Sequence, residues 1–324
     1  MLGLFGGPGF LVVCALIAVI AGAIAYLALT GNHGAGGSAT IALPGAGVPS
    51  AQDAAAAPLQ SMAAAPVAKE MEVSVAIEED LSPSELLTRY PPDPGAALAA
   101  GADTLPPWRR YGRSSAISPE ARRVALVITG LGRNRTDTVR AITGAPPEAS
   151  LSFDPKAPDL ADWIAAARAH GHEAFLDLPL DGTAGADGLA PEAKPEDNLR
   201  RLDAMIAGAP MIAGVAVRGG EAFLANGAAL QPILKHLEAA GLATVGVPVT
   251  APLTVAADEI IAGAEPQETI DQAIDSMMGL ARHRGASLGL VDASSAESLF
   301  PAWQRALVGR DDISLVPASA LIEQ

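Results

Sequence analysis

Four aspartates and one arginine stand where the chain could carry out chemistry. Asp154, Asp177, Asp181 and Asp292 each fall at or just after a short apolar run, and Arg218 follows another such run. In a barrel of parallel strands, active sites lie at the rim where the strands end. The sequence therefore predicts an acidic, polar mouth, with all four aspartates as candidate catalytic residues. Asp154, Asp181 and Arg218 are also candidate ligand-binding residues, although carboxylates at such positions are common as helix caps and turn residues.

The first apolar run ends in residues that cannot titrate near neutral pH. It closes with Thr129-Gly130-Leu131-Gly132, where a catalytic side chain would be expected. A dinucleotide-binding fingerprint fails here, because its third glycine would fall at Arg135. This stretch therefore predicts a buried strand followed by a tight turn.

The histidine pair of the chain is a weaker candidate for metal binding. His170 and His172 flank Gly171 and precede an apolar run, so we expect them at the rim where strands begin. Active sites of parallel barrels lie at the opposite rim, which favours packing over metal ligation.

The elements that would position these groups alternate regularly. Short apolar segments predict strands, and Ala-rich segments between them predict covering helices. The predicted strands are Val124–Ile128, Ala149–Phe153, His172–Leu178, Met211–Val217, Leu242–Val247, Ser287–Val291 and Ile313–Val316. The predicted helices run from Asn134 or Thr136 to Ile142, and over Leu160–His170, Glu196–Ala207, Gly227–Ala240, Thr269–His283 and Ala296–Val308. This α/β pattern predicts a compact (β/α) barrel that need not be complete, with a doubly wound open sheet as the alternative.

The N-terminal third of the chain differs in composition. Phe10–Leu29 is long enough and apolar enough to span a bilayer, which predicts a transmembrane anchor over residues 1–30; cleavage after Ala25 is the alternative. Residues 31–107 are rich in Ala, Pro and Gly and then acidic, which predicts a flexible linker. The folded domain is predicted over residues 108–324.

Composition excludes several classes of function. The formal net charge of −15 argues against nucleic acid and anionic membrane surfaces as partners. The single cysteine excludes an internal disulfide framework and a cysteine-based zinc site.

Four segments of the predicted domain resemble the divergent polysaccharide deacetylase family, in order and at compatible spacing over about residues 108–322. They are Val124 to Gly132, Leu151 to Pro155, Gly171 to Leu180 and Leu315 to Leu321. Trp163 and the stretch from Trp108 to Tyr111 resemble its alphaproteobacterial branch. The resemblance implies an exported (β/α) barrel of the carbohydrate-esterase type. Active relatives remove acetyl groups from amino sugars with a divalent metal.

The departures from the family pattern concern the metal ligands. Metal-binding members have Ile-Asp-Asp-Leu-Gly where this chain has Ile128 to Gly132, so both carboxylates are missing. The family's histidine in Asn-His-Met-Gly-Ser falls within Gly214 to Gly219 and is missing too. The Leu-Pro-Met-Glu-Pro stretch becomes Leu178 to Gly182, with Asp181 in place of the glutamate. Metal-hydroxide chemistry needs such ligands.

These observations predict a membrane-tethered envelope protein in carbohydrate metabolism whose domain has lost hydrolysis and serves as a binding or scaffolding module. No cofactor is expected. The alternative is a weak or recast hydrolase that uses strand-end carboxylates, with a divalent metal if it remains an enzyme. The expected partners are an envelope glycan or an envelope protein, and the expected location is the inner membrane, single-pass, with the domain in the periplasm.

Overall fold

The structure, a computed structural model, describes residues 80–115, 120–180 and 188–322. Within these ranges nine strands alternate with helices. The strands are β1 (Arg122–Leu131), β2 (Ser150–Phe153), β3 (Ala174–Asp177), β4 (Gly214–Ala216), β5 (Ala243–Val245), β6 (Thr254–Val255), β7 (Glu259–Ile261), β8 (Ala286–Asp292) and β9 (Ile313–Val316). The α-helices are α1 (Pro83–Arg89), α2 (Pro107–Arg110), α3 (Arg135–Gly144), α4 (Leu160–Ala169), α5 (Pro195–Ala207), α6 (Glu221–Ala225), α7 (Gly227–Ala239), α8 (Gln267–Arg284) and α9 (Ala296–Leu307).

All strands belong to one parallel sheet in the order β6-β5-β4-β3-β2-β1-β8-β7, with β9 paired to the start of β1. From β1 to β6 each strand lies next to its predecessor, as in a barrel; a doubly wound sheet would reverse direction at a switch point. Residues 256–258 alone separate β6 from β7, so one extended stretch pairs with β5 at its start and β8 at its end. The result is a parallel half-barrel rather than an open doubly wound sheet.

The core has two layers, one on each face of the sheet, and successive side chains of β1 point alternately into one layer and the other. Ala125 and Val127 join the inner cluster of the barrel, whereas Val124, Leu126 and Ile128 join the outer cluster that the helices cover. All five are fully buried. Because both faces of β1 are buried, its sequence is a continuous apolar run rather than an alternating one.

Residues before the predicted domain boundary pack onto the domain. The capping box formed by Ser82 and Glu85 starts α1, and Pro83 occupies its first turn. Leu86 of α1 is fully buried in the outer cluster. The side chain of Trp108 in α2 packs into the inner cluster, and the backbone N–H of Trp108 donates to the Gly241 carbonyl at 3.0 Å. Described residues from Leu86 onward thus pack into the domain, ahead of the boundary at residue 108 that composition indicates.

Buried polar groups fasten this leading segment to the barrel. The guanidinium of Arg168 donates to the carbonyls of Leu98 (3.1 Å) and Tyr111 (2.7 Å). The carboxylate of Glu173 accepts bonds from the N–H of Arg113 (3.2 Å) and the hydroxyl of Ser319 (2.6 Å). Because unsatisfied buried groups are costly, these bonds hold the segment in one position.

No helix among the described residues is long and apolar enough to cross a membrane. The predicted anchor Phe10–Leu29 lies outside the described residues, as does most of the predicted linker.

Truncation of the buried α1 side chain tests the position of the boundary. In a fragment of residues 80–324, Leu86→Ala should lower the free energy of unfolding by about 2–4 kcal/mol, because it leaves a cavity in the outer cluster. Thr88→Ala, at an exposed position of the same helix, should change it by about 0.5 kcal/mol or less. Urea unfolding measures both. Equal stabilities of the two variants would place α1 outside the domain.

Candidate functional site

The end of β1 directs a backbone donor, not a side chain, into the strand-end mouth. Gly130 has a φ of 81°, a left-handed conformation that favours glycine. Its N–H donates to Oδ2 of Asp177 at the end of β3, at 2.8 Å. A Cβ atom built on Gly130 would lie 3.5 Å from Oδ2 of Asp292, which ends β8. Gly130 therefore sits between two of the predicted site residues.

Asp177 is the described aspartate of the mouth with a raised pKa. Burial raises the pKa of Asp177 to about 6, against the lowering effects of the Ser152 hydroxyl, the Gly130 N–H and the charge of Arg218. The Ser152 hydroxyl donates to Oδ1 at 2.5 Å. A carboxyl group with this pKa can hold a proton in mildly acidic solution and can lose it near neutral pH.

Asp292 and Arg218 form an ion pair across the mouth. The guanidinium Nη1 of Arg218, just after β4, donates to Oδ2 of Asp292. The other oxygen accepts bonds from the N–H (3.1 Å) and the hydroxyl (2.7 Å) of Ser294. Burial acts to raise the pKa of Asp292, but the bonds from Ser294 and Arg218 together hold it below its usual range. Asp292 is therefore an ionised anchor for Arg218.

A second ion pair joins Asp154 to Arg133, which lies in the turn between β1 and α3. Nε of Arg133 donates to Oδ2 of Asp154, and Oδ1 accepts the N–H of Lys156 at 2.7 Å. The hydrogen bond to Asp154 raises the pKa of Arg133, and the charges of Asp177 and Asp292 add to the effect. All three carboxylates therefore lie within electrostatic range of Arg133, which contacts Asp154.

The structure thus brings together Asp154, Asp177, Arg218 and Asp292 of the predicted site. Asp181 lies outside the described residues. Sequence reasoning missed Arg133, because an arginine in a turn carries no periodic signal.

Thr250, in the segment after β5, does not belong to this group of residues. It lines a groove of about 680 Å³ that also includes Ser287 near the start of β8.

The two histidines pack where the sequence places them, at the rim where strands begin. Nε2 of His170 lies 3.0 Å from the Tyr90 carbonyl oxygen. His172 is buried, with Nδ1 at 3.0 Å from the Ala149 carbonyl oxygen, and burial lowers the pKa of His172 to about 4. These contacts give both rings a structural role.

Comparisons with known proteins give matches to one family and to solved structures. The model of the divergent polysaccharide deacetylase family matches residues 126–322. The crystal structure of an uncharacterized protein from Agrobacterium tumefaciens is 30% identical with a TM-score of 0.61, and the match covers 69% of this chain and 98% of that one. The catalytic domain of a peptidoglycan N-acetylglucosamine deacetylase from Eubacterium rectale is 12% identical with a TM-score of 0.38, covering 64% and 94%. No curated protein matches the sequence.

The chain belongs to the divergent polysaccharide deacetylase family, since the family model spans more than half of its length. The family match confirms the predicted resemblance. The parallel sheet confirms the predicted α/β fold class, in the form of a half-barrel. Membership assigns the domain to a carbohydrate-related function.

The pKa of Asp177 makes stability depend on pH in a defined direction. Its folded value of about 6 exceeds its ordinary value of 3.8, so the folded protein binds more protons between these pH values. Stability from this group is therefore present below about pH 4 and is lost as the pH rises through about 6. Asp177→Asn can accept the Gly130 N–H on its amide oxygen and donate from its NH2 to the Ser152 oxygen. It should be stabilised relative to wild type by roughly 1–3 kcal/mol at pH 7.5 and little at pH 4.

Urea unfolding at the two pH values measures this difference. Asp312→Asn is the control of opposite sign, since the hydrogen bond from Arg282 lowers the pKa of that exposed carboxylate. Equal effects of Asp177→Asn at both pH values would contradict a raised pKa.

Proposed function

We propose that the domain binds a cell-envelope glycan at the strand-end mouth and does not hydrolyse it through a metal. The pairing of Arg218 with Asp292 carries this proposal. The mouth already contains a fixed positive charge beside its carboxylates. A second cation in the same place would meet repulsion from the guanidinium and would have to break its ion pair.

The described donor groups do not fit a zinc ion. No group of three or more His, Cys, Asp or Glu side chains among the described residues is arranged to hold a metal. Arg133 and Arg218 already pair with two of the three carboxylates of the mouth. Zinc sites commonly use nitrogen or sulfur ligands, and the described histidines lie on helices or at the opposite rim.

A second candidate function keeps hydrolysis without a metal. The pKa of about 6 for Asp177 favours it, because a carboxylic acid of that pKa could donate a proton to a leaving group. Arg218 would then stabilise negative charge that develops on the substrate. In this alternative Asp154, Asp177 and Asp292 remain the candidate catalytic residues, and Asp181 stays a prediction.

We further propose that Phe10–Leu29 anchors the chain in the inner membrane and that the domain lies in the periplasm. The length of the apolar stretch supports this location. An envelope protein is the other proposed class of partner. Protease added to spheroplasts should release a fragment that begins near residue 80; full protection of the domain would contradict the topology.

Metal content and acetate release test the proposed function. Purified protein, dialysed and then given zinc, cobalt or manganese, should hold no stoichiometric metal in the mouth. It should release no acetate from N-acetylated amino-sugar oligomers, because Arg133 and Arg218 pair with Asp154 and Asp292, which a metal would need as ligands. Glycan pull-down should still retain the protein.

Variants separate the candidate functions. One equivalent of metal, lost in Asp154→Asn, would restore metal-dependent deacetylation as the function. Metal-independent acetate release, abolished in Asp177→Asn, would favour the second candidate. Asp275→Asn, outside the mouth, is the matched control and should behave as wild type in both assays.

A further inference from the structure

A groove in the wall of the half-barrel lies where one more strand would fit. The stretch that contains β6 and β7 pairs with β5 at Thr254 and Val255, and with β8 from Glu259 onward. Before Glu259 this stretch and β8 separate, and a groove of about 680 Å³ is lined by Thr254 on one side and Ala286 on the other. The groove is therefore bordered by two strands of one parallel sheet, which run in the same direction.

Backbone groups at both borders face into the groove. In a parallel ladder, successive residues direct their N–H and C=O to opposite neighbours. The carbonyls of Leu253 and Val255 accept bonds from β5 at 2.7 and 2.8 Å, so the N–H and C=O of Thr254 between them point to the groove. Leu288 of β8 bonds with its N–H and its C=O to the stretch that contains β6 and β7. Ala286, two residues earlier, therefore also faces the groove.

The side chain of Asp258 ends the ladder between the two borders. Its Oδ2 accepts the N–H of Leu288 at 3.0 Å, where a closed ladder would use a backbone carbonyl. Its Oδ1 forms an ion pair with Arg284. The carboxylate thus takes the place of the next ladder bond, and the strands stay apart along the groove.

An occupant of the groove needs one apolar face and one polar face. Leu288 belongs to the inner cluster of the barrel, and Leu253 and Val255 pack against that cluster. The groove also has exposed lining residues, such as Thr250 and Arg284. Side chains of an extended strand alternate between its two faces. A strand that fits here should therefore alternate apolar and polar or small residues.

Residues 71–77 of this chain, which lie outside the described residues, have this alternating pattern. Every second residue is a larger apolar one, and the residues between are charged, polar or small: Met71, Val73, Val75 and Ile77 alternate with Glu72, Ser74 and Ala76. The segment is as long as an ordinary strand.

The groove of the same copy is too far away for this segment. Asp80 precedes α1, and α1 packs against α4, which lies on β2 and β3. Helices α3, α9 and α8 cover the sheet between α4 and the groove, and packed helices lie about 8–10 Å apart, so the separation is about 30 Å. The three residue steps from Ile77 to Asp80 span at most about 11 Å. The segment can therefore reach only the groove of another copy.

We propose that the groove receives residues 71–77 of a second copy as an added strand, with Val73 and Val75 turned toward the inner cluster. Backbone bonds to Thr254 and Ala286 give this contact its affinity, and the apolar side chains set its register. Reciprocal exchange of the segment joins two copies in a closed dimer.

Light scattering after size exclusion of the full-length protein in detergent, over a dilution series, tests the exchange. Wild type should be a dimer. Val73→Asp combined with Val75→Asp should raise the dimer dissociation constant at least tenfold, because two charges would enter an apolar site. An excess of a synthetic peptide of residues 69–79 should convert the wild-type dimer to monomer. Ser74→Asp combined with Ala76→Asp, on the opposite face of the segment, is the matched control and should stay dimeric.

Cross-linking tests whether the groove is the docking site. Two co-expressed copies that lack Cys14, one with Val73→Cys or Val75→Cys and the other with Ala286→Cys, should form a disulfide-linked pair under mild oxidation. Ser74→Cys should give at least tenfold less of this product. A monomeric wild type, or a dimer that neither the aspartate pair at 73 and 75 nor the peptide weakens, would overturn the proposal. Absence of the cross-link from both valine positions would also overturn it.

Discussion

The pairing of β1 with three parallel strands fixes the geometry on which the mouth depends. β8 pairs with β1 from Arg123 to Thr129, which sets Asp292 level with Thr129. β2 pairs with the later part of β1, and the N–H of Asp154 donates to the Leu131 carbonyl at 2.9 Å. The carboxylates therefore stand on a buried ladder rather than on mobile loops. Both faces of β1 are buried, so that ladder is packed on both sides.

On this base, we propose that the mouth offers donors where the family pattern implies metal ligands. The family pattern implies two carboxylates at positions 129 and 130 and a histidine near the end of β4. This chain instead offers the N–H of Gly130, in a conformation that glycine favours, and the guanidinium of Arg218. Both groups donate hydrogen bonds to aspartates, which a bound metal would need as ligands. In the proposed function these groups act in one direction, because each supplies positive charge or a donor where metal binding would require a lone pair.

The sequence predicted the main strands well, because buried parallel strands leave continuous apolar runs and their ends mark the site. It missed β6 and β7, which span two and three residues and carry polar side chains such as Thr254 and Glu259. It also missed α1, seven residues long in a proline-rich stretch. The ion pairs could not be predicted, since Arg218 and Asp292 lie 74 positions apart and meet only when the barrel forms. The candidate carboxylates were therefore predictable, whereas the ion pairs that Arg133 and Arg218 form with two of them were not.

The central claim is that an internal guanidinium, not a metal ion, supplies the positive charge of the mouth. Anomalous diffraction at the zinc edge from crystals soaked in zinc tests it most directly. The account predicts no anomalous peak in contact with Asp154, Asp177 or Asp292, and an intact ion pair between Arg218 and Asp292. A peak coordinated by two or more of these carboxylates, with Arg218 displaced, would contradict it.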